Sequence, residues 1–95
     1  MFQNKHYLTR GVHASIPLVL QLYMWNLIRC MKVEQDYLQI FCLTIAEDGS
    51  QILQHSQENP HYAASYKLYI LNPIHAKVYV IDDGDHSTML LAEEY

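Results

Sequence analysis

Ninety-five residues make one domain rather than two, and 51% apolar content with 17% charged residues excludes a disordered chain. A net charge of −4 leaves little electrostatic footprint for nucleic acid. Residues 16–28, the most apolar stretch, carry Gln21 and Asn26 and fall short of the roughly 20 residues of a membrane span. No small-residue cleavage site follows them, so the sequence reads as cytoplasmic, with no membrane partner.

A chain of this size buries only about 60–65% of its unfolded surface, which favours self-association as a homodimer. Charge is divided unevenly along it. Residues 1–33 hold Lys5, Arg10, Arg29 and Lys32 and no acid, for +4, whereas residues 34–95 hold ten acids against Lys67 and Lys77, for −8. The eight tyrosines suit half-buried strands, where the ring packs and the hydroxyl stays wet.

Residues 6–9 read as a short strand ended by Arg10-Gly11. Ser15-Ile16-Pro17 then signals a helix start, and the spacing predicts a helix over 17–32. At 100° per residue, Leu20, Tyr23, Met24, Leu27, Ile28 and Met31 form a broad apolar face, with Gln21, Asn26, Arg29 and Lys32 opposite. Leu18, Leu22 and Trp25 fall among those polar residues as a second apolar stripe. One sheet face cannot cover both, so either the N-terminal segment (Phe2, Tyr7) or a partner must cover the second.

Residues 37–46 are apolar on both alternations, as a central strand requires. Residues 47–50 form a turn, and residues 51–57 read as a more polar strand nearer an edge. Asn59-Pro60 punctuates the chain. Residues 66–71 and 76–81 flank Asn72-Pro73-Ile74-His75, a hairpin signal. Asp82-Asp83-Gly84-Asp85 is a second turn, and residues 88–92 return as a strand. The expected fold is α+β, in the order β-α-β-β-β-β-β: an antiparallel sheet of five or six strands with one helix on a face.

Catalytic signatures are missing. There is no GxSxG, P-loop, Rossmann fingerprint or HExxH, and the six histidines are scattered. Cys30 and Cys42 lack CxxC spacing and read as free structural thiols in a reducing compartment. Asp82, Asp83, Asp85 and His86 are the densest group of candidate ligands, but their spacing is not that of an EF-hand and Asp and Gly are turn formers first. The sequence therefore points away from an enzyme, a metal or any other cofactor.

Three binding readings remain. Leu18, Leu22 and Trp25, with Arg29 at the rim, have the composition of an interface hot spot, which favours a protein-interaction module or homodimer. Asp82, Asp83, Asp85, Glu93 and Glu94 would gather if the final hairpin forms, giving an acidic inhibitor or mimic for a basic groove of a nucleic-acid-processing protein. Lys5, Arg10, Arg29 and Lys32 with Trp25 nearby form the weakest case, direct nucleic-acid binding.

Thr9-Arg10-Gly11-Val12, Ile16-Pro17-Leu18 with Gln21-Leu22 and Trp25, Asp36-Tyr37-Leu38-Gln39, and the run from Tyr79 to Tyr95 resemble a small family of Gram-positive bacteria, domain of unknown function 960. The resemblance spans essentially the whole chain, and its terminal run is the specific part; His86 and Cys42 depart from it. It implies a single domain of about this length, often carried on phages and other mobile elements. It transfers no catalytic residue and raises the expectation of a partner-binding or host-modulating role.

Overall fold

Residues 38–57 hold the pattern that organises the fold, an apolar strand followed by one that buries its polar side chains. A computed structural model describes residues 1–95. In chain order it contains β1 (Lys5–Leu8), α1 (Arg10–Ser15), α2 (Leu18–Arg29), β2 (Leu38–Ile45), β3 (Gln51–Gln57), β4 (Tyr62–Leu68), β5 (Ala76–Asp82) and β6 (His86–Leu91). A 3-10 turn, Ala92–Glu94, follows. The α+β class is as expected, and the six strands form one sheet in the order β1-β6-β5-β2-β3-β4.

That sheet is mixed rather than purely antiparallel, because β1 pairs parallel with β6 (Tyr7 opposite Thr88, Leu8 opposite Met89). The other pairings are antiparallel. Alternation within a strand states which side chains share a face. It does not state the direction of a partner some 80 residues away.

The hairpin expected across Asn72-Pro73 is also absent. Residues 69–75 instead carry the chain from the β4 edge back to β5, beside β2. Strands β2, β3 and β4 are consecutive hairpin partners and β5 returns next to the first of them, which is a Greek key. The hairpin turn that does form lies at residues 58–61 and contains a cis Asn59–Pro60 peptide.

The helix begins later and ends earlier than its pattern predicts, and a short helix precedes it. Thr9 caps α1, its Oγ1 accepting from Val12 N at 3.2 Å. Gly11 leaves room for the Glu94 carboxylate: a Cβ would stand 2.6 Å from Glu94 Oε2 and push that side chain aside. Pro17 caps α2, and Cys30 closes it two residues before Lys32. Val12 and Ile16 meet Leu20, Met24 and Ile28 of α2 in one core with Phe41, Leu43, Leu53, Val78, Val80 and Met89. Both helices cover this one sheet face. Neither is long and apolar enough to cross a membrane.

Strand β3 is not an edge, since it pairs with β2 and β4 along its whole length. Its polar residues Gln51, His55 and Gln57 are buried on the helix side together with Gln39 of β2. Each amide is satisfied. Gln51 donates to Thr44 O and Ile74 O at 2.8 and 2.9 Å and accepts from Ile74 N at 2.8 Å, tying the crossover to the sheet. Gln57 accepts from Asp36 N and Gln39 Nε2, and donates to Glu34 O and Pro60 O.

His55 stacks on Phe41 (4.4 Å, 14°), and its Nε2 lies 2.6 Å from Gln39 Oε1. The Gln39 amide nitrogen already donates elsewhere, so the His55 Nε2 carries the proton and donates. Burial holds the His55 pKa down, at about 4 against an ordinary 6.5.

Gln51→Met keeps the volume but leaves Ile74 N, Ile74 O and Thr44 O without their partner. It should lower unfolding free energy by about 3 kcal/mol in urea titrations, whereas Gln54→Met, exposed on the other face, should change it by less than about 0.5.

His55 must be neutral in the folded state, so the native protein binds fewer protons than the unfolded chain below pH 6.5. Stability should therefore be full above about 6.5 and fall by about 3 kcal/mol as pH drops towards 4. In His55→Gln the urea midpoint should lose most of that slope.

Candidate functional site

Leu18, Leu22, Trp25 and Arg29 stand four, three and four residues apart, so α2 presents them as one stripe. The N-terminal segment divides it. Phe2 is buried against the core, and His6 lies flat on Trp25 with centroids 3.9 Å apart and planes 5° apart. Phe2 therefore covers the helix as anticipated, but Tyr7 does not. It alternates to the opposite sheet face, edge-on to His86 at 5.2 Å.

The lower half of the stripe becomes the wall of a cavity of about 360 Å³ between the N-terminal segment and α2, lined by Phe2, Asn4, His6, Trp25, Arg29 and Gln35 among others. Arg29 hydrogen-bonds Asn26 on its own helix and has no carboxylate partner. The upper half is open. Leu18 is 65% exposed and Leu22 60%, with Val19 beside them. A groove of about 490 Å³ adjoins this half at the α1–α2 elbow, lined by Leu8, His13, Ala14, Pro17, Leu18 and Gln21 among others. Leu8 and Val19 were not visible as site residues in the sequence. Val19 interrupts the stripe's spacing, and Leu8 reaches the elbow only through the pairing of β1 with β6.

The five acids do not gather, although the final hairpin forms. Strand β6 separates Asp82, Asp83 and Asp85 at one end from Glu93 and Glu94 at the other, about 20 Å apart at strand spacing. Most of them also have local work. Asp82 accepts from Phe2 N at 2.7 Å, Asn4 Nδ2 at 3.0 Å and Gly84 N at 2.8 Å. Burial acts to raise its pKa, but these hydrogen bonds outweigh burial and hold it low.

Asp83 accepts from the Asp85 and His86 amides and pairs with the His86 ring at 3.0 Å. Gly84 takes φ +104, which the turn requires. Glu94 accepts from Thr9 Oγ1 at 2.6 Å and Leu91 N at 2.8 Å, tying the chain's end to the start of α1. No three His, Cys, Asp or Glu side chains cluster so as to hold a metal ion.

The basic residues are dispersed as well. Lys5 projects from the open sheet face, while Arg29 lines the cavity on the helix side and Arg10 lies at the start of α1. Both cysteines are free. Cys30 is exposed at the end of α2, and Cys42 is half-buried in β2 on the opposite side of the sheet.

A six-stranded mixed sheet with helices on one face, and an N-terminal segment latched over half of α2, defines the class: a small α+β protein whose recognisable surfaces lie on α2 and the sheet. The chain belongs to the family described as Staphylococcal protein of unknown function (DUF960), whose model matches residues 5–94. It is also similar to the crystal structure of a protein of unknown function from Enterococcus faecalis. The two share 26% identity with a TM-score of 0.82, over 97% of this chain and 91% of that one. No curated protein matches the sequence.

Asp82→Asn removes the charged acceptor that latches Phe2 and Asn4, and should cost about 1–2 kcal/mol. Because the latch carries His6 onto Trp25, tryptophan emission should shift to the red and become more quenchable by iodide. Unchanged emission would show that the latch does not depend on Asp82.

Proposed function

We propose that the protein is a non-enzymatic interaction module that binds a protein partner or a second copy of itself through the upper half of α2. The observation that supports this is the pair Leu18 and Leu22, one helical turn apart on a helix anchored by Leu20, Met24 and Ile28, and both more than half exposed. Single exposed leucines are ordinary on a protein surface. Here Leu18, Val19 and Leu22 adjoin an elbow groove that contains Leu8, making a contiguous apolar patch of the kind that marks an interaction site. Trp25 and Arg29 contribute at the lower margin, where Trp25 is already stacked on His6.

The reading as an acidic mimic has less support, because its acids lie at both ends of β6 and Asp82, Asp83 and Glu94 bond the protein's own groups.

Light scattering across a concentration series tests the proposal. Wild type should associate, or recover a partner from host lysate that survives high salt, and Leu18→Glu/Leu22→Glu should abolish either behaviour without lowering the melting temperature. A wild-type monomer that recovers no partner overturns the reading. Trp25→Glu is a poorer probe, since it also removes the His6 stack.

A further inference from the structure

The sheet face away from the helices carries a different signal. Both alternations of β2 and β5 are rich in apolar residues, yet helices cover only one. On the open side, Leu38 pairs with Ile81, Ile40 with Tyr79, Tyr79 with Leu90, and Thr88 with Tyr7. These form a band across β2, β5, β6 and β1. Of the protein's other elements, the aromatic ring of Tyr95 reaches it, edge-on to Tyr79 at 5.5 Å.

Charge at the strand positions of this face is of one sign. Every strand lysine lies on it: Lys5 opposite His86, Lys77 opposite Cys42, and Lys67 opposite Ile52. No Asp or Glu occupies any strand position facing this side. Nine of the ten acids sit in turns, loops or the terminal 3-10 turn, and Asp82 closes β5 on the helix side. In a protein of net charge −4, that segregation leaves a locally basic apolar face.

Lys67 is paired with Asp48 at 2.8 Å, whereas Lys5 and Lys77 have no carboxylate partner. They stand at opposite ends of the band. Lys77 lies one residue beyond the Val78–Leu91 pair and Lys5 lies opposite His86, a separation of about 20 Å at strand rise.

The geometry points to this face as a docking surface for an acidic amphipathic helix from a protein partner. The occupant's apolar side would meet Leu38, Ile40 and Ile81, which remain partly exposed, and its carboxylates would reach Lys5 at one end and Lys77 at the other. About thirteen helical residues span that distance at 1.5 Å each. The result would be the arrangement of sheets apolar on both sides, with a helix on each face.

Two other occupants fit less well. A second copy packed face to face would bring together two surfaces with no carboxylate at any strand position, leaving Lys5 and Lys77 without partners. Single-stranded nucleic acid needs open rings for base stacking, but Lys77 lies 5.6 Å over the Tyr79 ring, and Tyr95 and His86 flank Tyr79 and Tyr7 edge-on. This surface is distinct from the α2 patch, so the two proposals fail separately.

Panning a displayed library of random peptides about 16 residues long against the full protein tests it. Enriched sequences should carry apolar residues at helical spacing with Asp or Glu at both ends. A synthetic copy of the best one should bind at least about tenfold more weakly, by fluorescence anisotropy, to Lys5→Glu/Lys77→Glu. It should bind undiminished to Leu18→Glu/Leu22→Glu. Because both lysines are exposed, a preserved melting temperature will separate lost binding from lost folding. Failure to enrich peptides, enrichment without acidic ends, binding indifferent to the lysine reversals, or preferential binding of an oligothymidine at this face would overturn the proposal.

Discussion

A lattice of buried glutamines holds this protein's irregular segments to its sheet. Seven of its twenty buried residues are polar, too many to be incidental, so the fold depends on their being satisfied. Gln57 and Gln39 hold the long connection from α2 to β2 and the turn from β3 to β4 through Glu34 O, Asp36 and Pro60 O. Gln51 holds the crossover from β4 to β5 by both backbone groups of Ile74. These loops lack regular partners of their own, and an amide side chain both donates and accepts, so one residue can replace a missing piece of ladder. His55 completes the lattice by donating from Nε2 to Gln39, its ring stacked on Phe41 and kept neutral by burial.

A second set of interactions decides which apolar surface stays exposed. Asp82 ends β5 beside the N-terminal segment and draws Phe2 and Asn4 to it, while Ser87 donates to Asn4 at 2.6 Å. Phe2 then enters the core and His6 reaches Trp25. The stripe on α2 is thereby divided into a cavity wall and an open patch. Asp82, one of five acids that could have formed a charged surface, instead has a structural role set by its position at the strand's end.

The distribution of charge follows from the same architecture. Acids concentrate at turns because Asp accepts from the amides that turns leave free, as Asp48, Asp82 and Asp83 do here. The three strand lysines remain on the open face. Segregation along the chain, which looked like a contrast between a basic first third and an acidic remainder, becomes in space a contrast between the sheet face and its rims.

Periodicity and turn chemistry alone determined much of this protein. The apolar face of α2, the double alternation of residues 38–45, the span of β3 and the final hairpin all follow from side-chain spacing, which acts over a few residues. The stripe at Leu18, Leu22, Trp25 and Arg29 was legible for the same reason. What needed the tertiary structure was every choice between distant partners. Asn72-Pro73 marks a bend, yet β5 pairs with β2 because the Greek key places it there. β1 runs parallel to β6, and that pairing decides that His6 faces the helices and Tyr7 the open side. Residues 51–57 read as a polar strand nearer an edge, and β3 does lie next to the edge strand β4, but the burial of Gln51 and Gln57 depends on the loops they hold, which arrive from some 20 residues away. Short-range spacing encodes which side of an element is apolar; only the assembled sheet decides what meets that side, and what is left open to a partner.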